Sequence, residues 1–259
     1  MVNAFVLGVE AIAKGLRDIY EYVILYFSLA IFGVGGILFT LLSVVLYPLI
    51  PRRFGARLGR FLLTCMFRAY IALVKSSGLL IFDLSALDAL SSEKSIVIIP
   101  NHPGLMDVVM IGSRLTNIVC IMKNEIQTNI LFGGGARLAG YIRNDATNDM
   151  VRDAVAELKQ GSQLLIFPEG TRTTALPVNE FTKAFAIIAR RANAPVQTVF
   201  IDYSSAFLGK GWGLLKKPQF PLTIRVTLGK RLEVGGDTKS FVDDLENYFR
   251  NRLAVKNND

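Results

Sequence analysis

The sequence predicts an α/β fold, a mainly parallel mixed sheet flanked by helices, with an N-terminal membrane-embedded helical segment ahead of it. Three observations predict this. No charged residue occurs from Tyr22 to Ile50, a run of 29 positions. From Ser95 onward, short β-rich runs alternate with segments of helical period. Polar residues able to do chemistry fall just after the apolar runs, where open parallel sheets bind ligands.

Composition narrows the class further. The chain has 259 residues, enough for one large domain or a domain with an anchor. Hydrophobic residues make up 51% and charged residues 19%, which excludes a disordered or collagen-like chain. Lys and Arg total 29 against 21 Asp and Glu, for a net charge of +8. That balance suits an anionic membrane surface, a nucleic acid or a phosphorylated substrate. Nucleic acid has only the charge in its favour, since the basic residues are spread out and no helix-turn-helix or RNA-recognition signature appears, so no nucleic-acid partner is expected. Two cysteines, Cys65 and Cys120, cannot form a disulfide framework, and one histidine, His102, leaves little to build a zinc site, so no metal is expected. The Gly-Lys-Ser/Thr of a P-loop is absent.

Residues 1–54 are expected to be the membrane anchor. About 20 apolar residues cross a bilayer core, so the uncharged run can span with some tilt. Gly33, Gly35 and Gly36 offer an alternative, two half-helices dipping into one leaflet. A signal peptide fits poorly, because its apolar stretch is roughly 7–15 residues and a small-residue cleavage site should follow. Lys14 and Arg17 precede the run, whereas Arg52, Arg53, Arg57, Arg60, Arg68 and Lys75 follow it. The positive-inside rule therefore puts the remaining chain in the cytoplasm. Residues 55–80 are expected to be a basic amphipathic helix in the membrane interface. Arg57, Arg60, Thr64, Arg68 and Lys75 fall on one narrow stripe of an otherwise apolar helix.

Residues 81–259 are expected to be the α/β domain. Ser95–Pro100, Asn117–Met122, Gln163–Phe167 and Val196–Ile201 read as buried strands, and Leu222–Leu228 as a strand with one wet face. Thr147 to Gln160 keeps a helical period and Gly161 stops it. Asn179 is expected to cap a helix that Asn193 and Pro195 end, and Ser240–Leu253 closes the domain as a helix. Lys256–Asp259 has the composition of a loose tail.

The candidate chemistry lies at strand ends. Asn101-His102-Pro103-Gly104-Leu105-Met106-Asp107 follows the first strand. Across a turn into a helix, a spacing of five brings Asp107 to one imidazole nitrogen and leaves the other as a base. Phe167-Pro168-Glu169-Gly170-Thr171-Arg172-Thr173 follows another strand, with Thr171 and Arg172 as donors that suit an anion. Lys123 ends the second strand, and Gly140-Tyr141-Ile142-Arg143 is a short strand ending in an arginine. Three cations beside one base suit a phosphate-bearing substrate.

Asn-His-x4-Asp followed by Phe-Pro-Glu-Gly-Thr-Arg resembles the glycerolipid acyltransferase superfamily, the group of 1-acylglycerol-3-phosphate acyltransferases. His102 and Asp107 match its first block, Arg143 the second, Glu169, Gly170 and Arg172 the third, and Pro195 the fourth. The resemblance implies transfer of a fatty acyl chain from a coenzyme A or acyl-carrier-protein thioester to a lysolipid hydroxyl, in phospholipid biosynthesis at a membrane. It implies His102 as the base and Asp107 as its orienting group. Arg143, Arg172 and Lys123 would hold the acceptor phosphate, with Glu169, Gly170 and Thr171 around the pocket. No cofactor is implied beyond the thioester co-substrate. Gly104 and Leu105 stand where many members carry a serine and an aromatic residue, and Thr198 replaces a usual proline. That version looks more like branches acylating lyso-ornithine or other specialised lipids. A peripheral protein that only binds anionic lipids is the non-enzymatic alternative.

Overall fold

The computed structural model describes residues 2–129, 133–145, 147–213 and 215–254. The expected tail Lys256–Asp259 lies outside them. Two helices come first, α1 (Val2–Leu49) and α2 (Arg52–Ser76). The α/β part then runs β1 (Leu80–Asp83), a 3-10 turn (Ser85–Leu90), β2 (Ile96–Pro100), α3 (Asp107–Arg114), β3 (Ile118–Met122), α4 (Asn124–Gln127), α5 (Gly133–Leu138) and β4 (Ile142–Arg143). It continues with α6 (Thr147–Lys159), β5 (Gln163–Leu165), α7 (Ala184–Ala192), β6 (Val196–Tyr203), β7 (Leu222–Leu232) and α8 (Thr238–Ala254).

Among the described residues seven strands order as β1-β7-β6-β2-β5-β3-β4, and only β6 and β7 pair antiparallel. This is the mainly parallel mixed sheet expected from the sequence. Helices cover both faces, which is why the strands read as continuous apolar runs rather than alternating ones. Along β2, Ile96 and Ile98 enter the core shared with Phe67 of α2 and Met110 and Ile111 of α3. Val97 and Ile99 enter the opposite core, beneath α6, α7 and α8 with Leu158, Phe185 and Phe249. The ring of Phe249 meets Phe200 at 4.7 Å and Phe181 at 5.2 Å between centroids. Each such tilted or edge-to-face pair adds about 0.5–1.5 kcal/mol beyond its burial. Asn193 ends α7 in the left-handed conformation (φ 52°), as its position before Pro195 suggested.

Helix α1 passes through Gly33, Gly35 and Gly36 without a break, so the two half-helices entertained for this segment do not form. It begins at Val2, well before the uncharged run, and Ile50 and Pro51 separate it from α2. By length and composition Val6–Leu49 is apolar enough to cross a bilayer, with a mean hydropathy of 2.5 in its best window. The helix nevertheless lies along the α/β domain. Near one end, Lys217 bridges Asp18 and Glu21 at 2.6 Å each, and Tyr20 donates to the Ser77 carbonyl at 2.8 Å. Near the other, Phe39 and Thr40 pack so closely on α5 that a Cβ on Gly135 or Gly134 would approach them to 2.5 and 2.7 Å. Its outer face, including Val23, Phe27, Val34, Leu38 and Leu41, is exposed.

Three of the five residues in the polar stripe of α2, Arg60, Thr64 and Arg68, bond to the α/β domain, contrary to the sequence-based expectation. Arg60 is buried and donates to the Ala139 carbonyl (2.9 Å), Asn117 Oδ1 and Ser162 Oγ (3.0 Å each) and Glu157 Oε2 (2.9 Å). Thr64 is buried as well, and Arg68 donates to the Ser113 carbonyl at 2.7 Å. These residues therefore tie α2 to the α/β domain. Periodicity identifies the two faces of a helix but not their neighbours. The stripe's other two members, Arg57 and Lys75, stay exposed, on a surface that also carries Phe54, Phe61 and Leu73.

Candidate active site

The parallel strands end at one edge of the sheet, and β2 delivers the first motif there. Asn101 stands where the chain leaves the sheet, and its side-chain amide mimics a peptide. It donates to the Ile201 carbonyl at 2.9 Å and accepts from the Ile201 N–H at 2.7 Å. The ends of β2 and β6 stay locked while the backbone turns through Pro103 and Gly104 into α3. Asp107 is the first residue of α3, and its side chain is wholly buried.

His102 and Asp107 are brought together, as their spacing suggested. Nδ1 of His102 lies 2.7 Å from Asp107 Oδ2, which also accepts the Gly104 N–H at 3.0 Å. Asp107 Oδ1 accepts the Tyr203 hydroxyl at 2.7 Å. A buried carboxylate costs several kcal/mol unless it is well partnered, and here three donors satisfy it. The imidazole stacks on Phe167, 3.8 Å between centroids and 22° between planes. With Nδ1 turned to the carboxylate, Nε2 is the nitrogen left for a substrate proton.

Tyr203 has no counterpart in the sequence-based site. It ends β6, the neighbour of β2, 96 residues along the chain from Asp107. Burial first, then the charge of Asp107 and the bond to it, push its phenol well above the ordinary value near 10. It remains a donor at any working pH. Gly104 makes room for it: a Cβ there would lie 2.9 Å from the Tyr203 hydroxyl and 2.8 Å from the Phe207 carbonyl oxygen. The departure at Gly104 thus has a steric reason.

Glu169 follows β5 and braces the histidine from its backbone side. Its Oε1 accepts from the His102 N–H (3.0 Å) and Thr173 Oγ1 (2.8 Å), and its Oε2 from the Asn179 N–H (2.8 Å). The Thr173 N–H in turn donates to the His102 carbonyl at 2.8 Å. Burial raises Glu169 above its ordinary value although these donors pull it down. Gly170 makes the turn with a φ of 64°. Asn179 does not cap α7, which starts five residues later. Its Oδ1 instead accepts from the Thr174 and Ala175 N–H groups at 3.0 and 2.9 Å, so it stabilises the turn after the motif.

The cations are less uniform. Arg172 donates from Nη1 to the Leu208 and Gly209 carbonyls at 2.9 and 3.0 Å, and Leu208 O also accepts the Leu105 N–H at 3.1 Å. It clamps the loop after β6 against the histidine loop, with Nε and Nη2 pointing to no acceptor among the described residues. Thr171 is half-buried beside it. Lys123 and Arg143 are exposed at the ends of β3 and β4, two and three strands from β2. At roughly 4.8 Å per strand, that is about 10 and 14 Å across the edge. Arg143 pairs with Asp145 at 3.4 Å. Burial pushes the Cys120 thiol up to about 12, so it stays protonated and is no nucleophile.

Residues 82–202, which contain the histidine loop, the Glu169 turn and both strand-end cations, match the profile of the Acyltransferase family. A 1-acyl-sn-glycerol-3-phosphate acyltransferase of Pseudomonas aeruginosa is 24% identical over 238 residues, 90% of this chain and 86% of that protein. A lyso-ornithine lipid O-acyltransferase of the same organism is 31% identical over 109 residues, 40% of this chain and 42% of that protein. A 1-acyl-sn-glycerol-3-phosphate acyltransferase of Cocos nucifera is 34% identical over 107 residues, 39% and 35% of the two chains. The crystal structure of the 1-acyl-sn-glycerophosphate acyltransferase from Thermotoga maritima superposes with a TM-score of 0.60 at 16% identity, over 94% of this chain and 98% of that one. The fold is therefore shared over nearly the whole chain. Over residues 82–202, just under half of its length, the chain matches the acyltransferase family, and it is an enzyme, an acyltransferase of the 1-acylglycerol-3-phosphate acyltransferase type.

Proposed function

We propose that this enzyme acylates the free hydroxyl of a lysophospholipid resembling 1-acylglycerol 3-phosphate, using a fatty acyl thioester as donor and His102 as general base. The observation that carries the reading is the 2.7 Å contact of His102 with a fully buried, triply bonded Asp107. Asp107 holds the Nδ1–H tautomer and stabilises the imidazolium as it forms. The acceptor hydroxyl gives its proton to Nε2 while its oxygen bonds to the thioester carbonyl carbon. The tetrahedral intermediate collapses by breaking the C–S bond, and the departing sulfur takes the proton back from Nε2. No covalent acyl-enzyme is required, because a thioester is already activated. Arg143 and Lys123, with the free side of Arg172, are the cations available for an acceptor phosphate.

The exposed apolar faces of α1 and α2 support attachment to the membrane that holds the lysolipid. Because α1 is held to the α/β domain near both ends, those faces would enter one leaflet side-on. The arginines that follow the first helix favour the cytoplasmic face.

The test is acylation by purified protein in micelles. Turnover of lysophosphatidic acid should depend on a thioester and should vanish in His102→Ala with the fold retained. Near-normal turnover in that variant would remove His102 from the mechanism. The 31% local identity to a lyso-ornithine lipid acyltransferase supports a second acceptor reading. Glycerol 3-phosphate should inhibit an enzyme for a phosphate acceptor and leave one for an aminolipid unaffected.

A further inference from the structure

A cleft of about 810 Å³ runs down the β4 edge of the sheet, between the start of α2, α5 and α6, and neither His102 nor Asp107 lines it. Seven arginines and four carboxylates do. Each carboxylate is already engaged: Glu157 with Arg60 at 2.9 Å, Asp149 and Asp153 with Arg152 at 2.8 and 3.0 Å, and Asp145 with Arg143 at 3.4 Å. Arg52, Arg53, Arg57 and Arg137 are left without a carboxylate among the described residues. Arg137 gives one N–H to the Gln127 carbonyl, at 2.8 Å. Arg52 and Arg53 occupy the first turn of α2, which holds no acid. Cations at that end of a helix oppose its dipole. Four unmatched guanidinium groups in one concavity repel one another, and a polyanion relieves that repulsion. Guanidinium forks match phosphate oxygens.

The size and place of the cleft say which phosphates. A single lipid headgroup phosphate needs one or two of these arginines and a fraction of the volume, whereas about 300–1,000 Å³ is the scale of a whole bound small molecule. Arg143 sits both in the cleft and at the strand-end edge, about 14 Å across the sheet from β2. A flexible arm covers that distance.

We propose that this arginine-lined cleft seats the phosphates of the donor's carrier, a nucleotide of the coenzyme A type, while its thioester arm extends over the strand ends to His102. The proposal rests on thioester-dependent acyl transfer and adds the donor's class and seat to it.

The test titrates adenosine 3′,5′-bisphosphate into the full chain in micelles and compares the wild type with Arg53→Gln/Arg57→Gln. Both side chains are exposed and make no bond to the domain among the described residues, so the fold should be unchanged. The probe should bind the wild type and compete with acyl-coenzyme A. The double variant should weaken it about tenfold and raise KM for acyl-coenzyme A to a similar degree, with kcat and the acceptor KM unchanged. Absence of probe binding in the wild type, or equal binding in both proteins, overturns the proposal. So does a rise in the acceptor KM alone, or a loss of co-sedimentation with phosphatidylglycerol vesicles at unchanged probe affinity, which would assign the cleft to a lipid headgroup. If lysophosphatidic acid is not acylated with any donor, the acceptor reading fails, and the titration still decides the cleft.

Discussion

Tyr203→Phe removes one oxygen atom and keeps the ring. That oxygen donates at 2.7 Å to a carboxylate with no exposed surface, which is left with the imidazole at 2.7 Å and the Gly104 N–H at 3.0 Å. A hydrogen bond to a charged group of this kind is worth about 1.5–3 kcal/mol. If the loss is felt wholly as a poorer orientation of His102, kcat falls roughly 10–100-fold, since about 1.4 kcal/mol is a factor of ten. The acceptor and donor KM should stay put, because Tyr203 acts through Asp107 and not on the substrate. Burial and the Asp107 charge keep the phenol protonated well beyond its usual range, so the deficit should be the same at pH 6 as at pH 9. Steady-state acylation in micelles with both substrates varied reads all three quantities, and thermal unfolding reads any loss of stability separately. Unchanged kcat would show that the Gly104 N–H and the histidine suffice to hold Asp107. A deficit that disappears at alkaline pH would mean that the wild-type phenol had ionised, contrary to the burial argument.

Two further outcomes follow from buried polar groups. Arg60→Ala leaves Glu157 without its cation and the Ala139 carbonyl without its guanidinium donor, a loss of about 3–5 kcal/mol that should lower Tm on the order of 10 °C while leaving affinity for anionic vesicles unchanged. A variant of normal Tm that no longer co-sediments with such vesicles would return Arg60 to the membrane surface. Glu169 has a raised pKa in the folded protein, so its contribution to stability is fully present below its ordinary value of 4.5 and is lost as pH rises through the raised one. The stability of wild type minus that of Glu169→Gln, from denaturant midpoints, should therefore shrink as pH rises from about 4 to 7. A difference that grows over that window would show that the three donors outweigh burial.

Local chemistry was legible in the sequence where a single segment decides it. The strand Ser95–Pro100, the turn after it and the five-residue spacing of His102 and Asp107 all lie within a dozen residues, and the sheet forms around them as composition suggests. What the sequence hid are partners from elsewhere in the chain. Tyr203 reaches Asp107 only because β6 lies beside β2, and Arg172 meets Leu208 and Gly209 across 36 and 37 residues. The stripe on α2 was visible, but its neighbour was not. Four polar groups, one just after α5, one just before β3, one in α6 and one just before β5, make Arg60 an interior residue. Strand β1 escaped notice because it is four residues long and lies at the sheet's margin, with Ile81 exposed.

The way α1 is held makes its length a measured quantity. Glu21, which takes the Lys217 ammonium, and Phe39, which lies against Gly135, are 18 residues apart, five turns at 3.6 residues each. Both therefore face the same side, and Leu25, Ser28 and Gly36 between them are buried on that side. Inserting one residue in this stretch swings the far clamp by about 100° and slides it about 1.5 Å, which points Phe39 away from α5. Apolar composition alone would tolerate such a change, since every substitute is still greasy. The helix is a strut cut to a fixed number of turns, and drift in its sequence is freer than drift in its length.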